Sequence, residues 1–205
     1  MQKRVLTSQL QARAMTFKMH KNLANLNLDD LKKYAPEQLQ TQSVTAVLLA
    51  LGSNYQAEKH LPFVREKLAI LGEIQLSTAF QNPDFTATLE QPKPDYINQC
   101  VYLTLTSAMT LQQLQKTFKK FESDCNRQRL SDSIKNPIEI VTMDIDILLI
   151  ETVLIKTIPN NNSLSKNKTS KEIAKSPKQW VIMADRYPFK AHERAGIEEL
   201  ISNGL

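Results

Sequence analysis

The chain has 205 residues, 41% of them apolar and 23% charged, with a formal net charge of +5. That length suits one ordinary domain with extensions, and no apolar run approaches the roughly 20 residues of a membrane span. The opening MQKRVLTSQLQARAMTFKMHKNL is basic but has no continuous apolar stretch, so it does not read as a secretory signal.

With no acid before Asp29, that opening has the look of an organelle transit peptide, a look that Gln-rich helical tails share. The expectation is a cytoplasmic monomer with no membrane partner. Residues 1–43 are polar and rich in Gln, Leu and Lys, and are expected to form an N-terminal extension, helical in pieces, with residues 44–205 as the domain proper. Much of the positive charge lies in this opening and in KNKTSKEIAKSPKQW, where it reads as solvated surface. Cys100 and Cys125 have no metal-binding spacing and are expected to be buried thiols.

From Val44 the pattern changes. VTAVLLAL predicts a buried strand closed by a turn at Gly52-Ser53-Asn54. Leu61, Val64, Leu68 and Leu71 then recur at helical spacing, with Gly72 as the stop. IQLSTAF predicts a second strand ended by Asn82-Pro83, and INQCVYLTLT a third. Thr110 and Gln113 form a capping box for a helix with the apolar stripe Leu111, Leu114, Phe118, Phe121 and Cys125. A polar loop from Arg129 to Ile140 leads into a last strand, MDIDILLI. The order strand, helix, strand, strand, helix, strand predicts an α+β fold of the ferredoxin-like βαββαβ type with N- and C-terminal extensions. Beyond Glu151 come a loop of low apolar content, the stretch WVIMADRYPF and a short helix around residues 193–201.

Alternate side chains of a strand share a face, so Asp144 and Asp146 point the same way, roughly 7 Å apart along the backbone. Two such carboxylates are either solvated at a strand end or share a cation; Mg2+ takes oxygen ligands and keeps waters that phosphates can replace.

The motifs LGSN, PDYIN, FESDCNRQR and MDIDILL, in that order and in those elements, resemble those of 6-hydroxymethyl-7,8-dihydropterin pyrophosphokinase, an enzyme family of folate synthesis. The resemblance spans about residues 44–183. It implies transfer of pyrophosphate from ATP, as co-substrate, to the hydroxymethyl group of a dihydropterin, with two Mg2+ ions held by Asp144 and Asp146. It implies that Tyr96 and Asn98 contact the pterin, that Glu122 contacts nucleotide, and that Arg127 and Arg129 approach the phosphates. It further implies that Gly52 and Ser53 form a small turn beside the ligands, and that Trp180 packs on the pterin with Lys178 as the basic residue upstream. Without the resemblance, each has an ordinary reading: Glu122 on a solvated helix face, Trp180 in the core, the arginines on the surface.

The chain departs from the family in the loop LSDSIKNPIEIVTM, which lacks the usual tryptophan and places Val141 where a second phosphate-binding arginine is expected. Lys135 is the nearest substitute charge, and His192 lies too far along to match the family's histidine. A catalytically weakened paralogue that binds nucleotide or pterin in a regulatory role is therefore the alternative. A nucleic-acid binder is disfavoured, because the central strands lack the exposed aromatics of RNA-recognition modules.

Overall fold

The computed structural model describes residues 23, 26–84, 87–90, 92–127, 140–153 and 177–203. Arg129, Lys135, the opening 1–22 and the polar loop 154–176 lie outside the described residues.

The molecule is a mixed α+β structure built on one six-stranded sheet. Its elements are β1 (Lys33–Tyr34), α1 (Pro36–Leu39), β2 (Ser43–Ser53), α2 (Ala57–Leu71), β3 (Gly72–Asn82), β4 (Tyr96–Thr110), α3 (Leu111–Asp124), β5 (Asp144–Thr152), β6 (Gln179–Met183) and α4 (Ala191–Asn203). From β2 to β5 this is the order expected from the residue pattern. The strands lie in the order β1-β6-β5-β2-β4-β3, and every pairing is antiparallel except that of β1 with β6.

β2 is central, which explains why its sequence is apolar without alternation: both of its faces are covered. Val44, Val47, Leu49 and Leu51 join the larger core with Leu61, Val64 and Leu68 of α2 and Leu111, Leu114 and Phe118 of α3. Ala46 and Leu48 face the other way, into a second core with Ile197 and Leu200 of α4 and Leu23 and Leu28 of the N-terminal stretch. Each buried Val, Leu, Ile or Phe among them contributes roughly 1.5–3 kcal/mol relative to exposure. α4 lies close on the sheet at Gly196, where a side chain would come within 2.7 Å of Cys100 Sγ. That contact brings the start of α4 over one end of the sheet, beside the carboxylates of β5. Cys100 and Cys125 are both buried and free.

The sheet extends beyond its predicted strands at both ends of the chain. Lys33–Tyr34 pairs with Ile182–Met183, and Leu39 is buried in the larger core, so described residues before Val44 belong to the packed body. WVIMADRYPF supplies β6, a short strand pairing with β5 on one side and β1 on the other. Gly72 ends α2 in extended rather than left-handed backbone. A Cβ there would fall 1.9 Å from the Thr104 carbonyl oxygen, so the position is fixed by the close approach of β4.

Candidate active site

Strand register assembles the site. Gly52 lies opposite Asn98 on one side and Asp144 on the other, and Ala50 lies opposite Cys100 and Asp146. Two small residues on the middle strand thus leave a depression between the β5 carboxylates and the β4 amide. A Cβ at Gly52 would stand 3.1 Å from Asn98 Oδ1, so even alanine would crowd this floor. The depression is part of a cleft of about 290 Å³ whose lining includes Tyr96, Asn98, Arg127, Val141, Asp144 and Asp146. Lys190, just before α4, and His192 and Glu193 in its first turn also line it.

Asp146 is a strongly perturbed carboxylate of the cleft. Its pKa is pushed from 3.8 up to about 6, first by burial and then by the neighbouring Asp144 charge, against the opposing pull of Arg186. Arg186 Nη2 stands 2.7 Å from Asp146 Oδ1. Asp146 also lines a second cavity of about 210 Å³, shared with Lys119 and Glu122 of α3 and with Asp185 and Arg186 of the turn after β6. The carboxylate therefore sits where two compartments meet.

Among the described residues no group of three or more His, Cys, Asp or Glu side chains is placed to hold a metal ion. The fit of Mg2+ rests on the pair itself: two hard oxygen donors with alternate positions on one strand, one of them destabilised as an anion by burial and by its neighbour. A cation there relieves both effects, and the remaining ligands come from water and substrate phosphate, the usual manner of Mg2+ binding.

The LGSN turn positions the start of β5. The Val141 N–H donates to Asn54 Oδ1 at 2.7 Å, and the Asn54 N–H donates to the Val141 carbonyl at 3.0 Å. The buried Ser53 hydroxyl adds a 3.4 Å contact to that carbonyl. Ser53 thus acts on the backbone beneath the cleft, and Gly52 is the turn residue that lines it. Glu122, buried on α3, accepts the Ile145 N–H at 2.9 Å, which fixes the backbone between the two aspartates. It also borders the second cavity.

Arg127 reaches the cleft through the end of α3. Asn126 takes the left-handed conformation at φ 58°, the Asn126 N–H donates to Ser123 O at 2.9 Å, and the Arg127 N–H donates to Glu122 O at 3.1 Å. This is a Schellman closure with Asn in the left-handed position. It turns the chain back so that Arg127 Nη1 donates to Ile140 O at 3.3 Å and the side chain lines the cleft.

Tyr96, Asn98, Gly52, Arg127, Asp144 and Asp146 are thereby brought together. Trp180 and Lys178 are not: Trp180 is buried in the second core against Tyr102, with ring centroids 6.0 Å apart, and Lys178 Nζ pairs with Glu151 at 3.3 Å. Sequence reasoning missed Asn54, Arg186 and Lys190, and placed His192 outside the site. Asn54 stood inside a quoted motif, so its turn position was a usable signal; the others follow a chain reversal that no local pattern announces.

A family model described as 7,8-dihydro-6-hydroxymethylpterin-pyrophosphokinase matches residues 48–174, from within β2 to beyond β5. Comparison with curated proteins finds no match. The matched span contains the glycine turn, Tyr96, Asn98, Arg127 and both aspartates of the cleft. The chain belongs to the 7,8-dihydro-6-hydroxymethylpterin-pyrophosphokinase family.

Proposed function

We propose that this chain transfers the pyrophosphoryl group of ATP to the hydroxymethyl group of 6-hydroxymethyl-7,8-dihydropterin, with two Mg2+ ions at Asp144 and Asp146. The observation that carries the reading is the convergence of Tyr96, Asn98 and the two aspartates on one cleft floored by Gly52. The antiparallel order β5-β2-β4-β3 supports a ferredoxin-like reading of the central strands.

In this reading the aromatic face of Tyr96 and the amide of Asn98 hold the pterin, with its hydroxymethyl group toward β5. Asp144 and Asp146 would hold Mg2+, which when bound would neutralise phosphate charge and orient the reacting groups. The pterin hydroxyl oxygen bonds to the β-phosphorus of ATP and gives up its proton to solvent, the bond from that phosphorus to the α–β bridging oxygen breaks, and AMP leaves with that oxygen. Arg127 and Lys190 are the cations on the cleft walls that can meet phosphate oxygens. Little covalent work falls to the protein, because such transfers depend mainly on position and charge.

The weakened-paralogue reading keeps one specific observation: Val141, an uncharged side chain, lines the cleft. Phosphorus NMR of purified protein with Mg2+, ATP and the hydroxymethyl pterin separates the two. The proposed activity gives AMP and a pterin diphosphate ester in equal amounts. Binding of both ligands without either product would establish the paralogue reading instead, and ADP as product would reject both.

A further inference from the structure

The turn after β6 carries a cation that the family comparison does not cover, since the matched residues end at 174 and Arg186 lies beyond them. Arg186 Nη2 is 2.7 Å from Asp146 Oδ1, and its Nε is 3.6 Å from Asp185 Oδ2. The Asp146 side chain is only 13% exposed, whereas that of Arg186 is 41% exposed and lines the second cavity with Lys119. β6 pairs with β5 only over Leu149–Thr152, so the turn carrying Arg186 faces the earlier half of β5, where the carboxylates stand.

We propose that Arg186 is a phosphate-positioning residue that rests on Asp146 in the empty protein and moves to the nucleotide's phosphates when the metal–nucleotide complex arrives. This rests on the functional reading above. First, a guanidinium 2.7 Å from Asp146 Oδ1 competes with a divalent ion for the charge of the same carboxylate, so metal binding at Asp146 weakens the hold on Arg186. Second, the released guanidinium is half-exposed at the mouth of a cavity with a second cation, Lys119, and a guanidinium fork matches phosphate oxygens in two-point contact. In that reading the cleft with Tyr96 and Asn98 holds the pterin and the phosphate being transferred, and the cavity across Asp146 is open to the rest of the phosphate chain. The Asp146–Arg186 pair is then an exchange device: the metal takes the carboxylate and the phosphate takes the guanidinium.

The two halves of that exchange give changes of opposite sign on removal of the arginine, which a merely structural side chain would not. Affinities for Mn2+ alone and for Mn2+–ATP are measured by electron paramagnetic resonance and calorimetry on the full chain, for the parent, Arg186→Gln and Arg186→Lys. For Arg186→Gln the proposal predicts Mn2+ alone bound about 5-fold tighter, because its competitor is gone, and Mn2+–ATP bound about 10-fold weaker, as loss of a charge-assisted phosphate contact implies. Arg186→Lys should fall between the two, keeping charge but losing the fork. Unchanged or jointly weakened affinities in Arg186→Gln overturn the proposal while leaving the pyrophosphokinase reading intact. If the glutamine variant fails to fold, an Arg186→Lys protein with the parent's ATP affinity overturns it equally. A parent that binds neither Mn2+ nor Mn2+–ATP removes the functional reading itself and this inference with it.

Discussion

Asp146 shows how a single residue can work against the stability of the fold that displays it. Its carboxyl titrates near 6 in the folded chain and near 3.8 when unperturbed, so between those values the folded state holds the extra proton. Stability therefore falls as pH rises from about 4 to 6 and stays lower above that range, the opposite of an aspartate whose pKa is lowered by folding. Replacing it by asparagine removes the penalty. Asp146→Asn should melt at higher temperature than the parent at pH 8, by an amount corresponding to roughly 3 kcal/mol, and close to the parent at pH 4. A variant less stable than the parent at pH 8 would mean that the Arg186 pair outweighs burial and the Asp144 charge. Tyr96 makes a second prediction at this scale. If its ring holds the pterin, Tyr96→Ala should weaken pterin binding by about 10-fold and ATP binding by less than about 2-fold, measured by calorimetry. Equal losses would identify a structural tyrosine.

At the scale of elements, the parts read correctly from the residues are those whose cause is local. The α3 capping box is present as expected, with the Gln113 N–H donating to Thr110 Oγ1 at 3.2 Å and the Thr110 N–H to Gln113 Oε1 at 2.8 Å. The stripe Leu111, Leu114, Phe118, Phe121 and Cys125 is buried as its spacing demands. What escaped has a non-local cause. Gly72 looks like a helix stop, yet its lack of a side chain is required by a carbonyl 32 positions away in the chain, at Thr104. β6 is five residues long and gains its strand character only from β5 and β1. The LGSN turn joins both kinds, since its position is local and its partner, Val141, is distant. Asn54→Ala leaves the buried Val141 N–H without its acceptor, which should destabilise the protein by about 1–3 kcal/mol and loosen the start of β5. Urea unfolding measures the first effect, and faster amide exchange at residues 141–145 the second. Unchanged exchange would show that the Asn54 backbone bond to Val141 suffices.

For the molecule as a whole, the candidate site depends on three strands in register and on a helix that crosses their end. Composition and spacing in the sequence alone could pair Asp144 with Asp146, because both lie on one strand, and the family resemblance joined Tyr96, Asn98 and Arg127 to them. Neither could bring in Lys190, His192 and Arg186, which reach the site only after the chain forms β6 and folds α4 back against Cys100. The Trp180 expectation misplaced its residue for the same reason: β6 turns that ring into the core beside Tyr102, away from the cleft. In the proposed function one cleft, organised by the β5 carboxylates, carries out Mg2+-dependent pyrophosphoryl transfer. The most direct measurement is the rate of AMP release from ATP with Mg2+ and the hydroxymethyl pterin, for the parent and for Asp144→Ala, with thermal melts in parallel. AMP release should require both the pterin and Mg2+, and should fall at least about 100-fold in Asp144→Ala while the melt stays at or above the parent's. AMP release that persists in a folded Asp144→Ala protein, or proceeds in the parent without Mg2+, would contradict it.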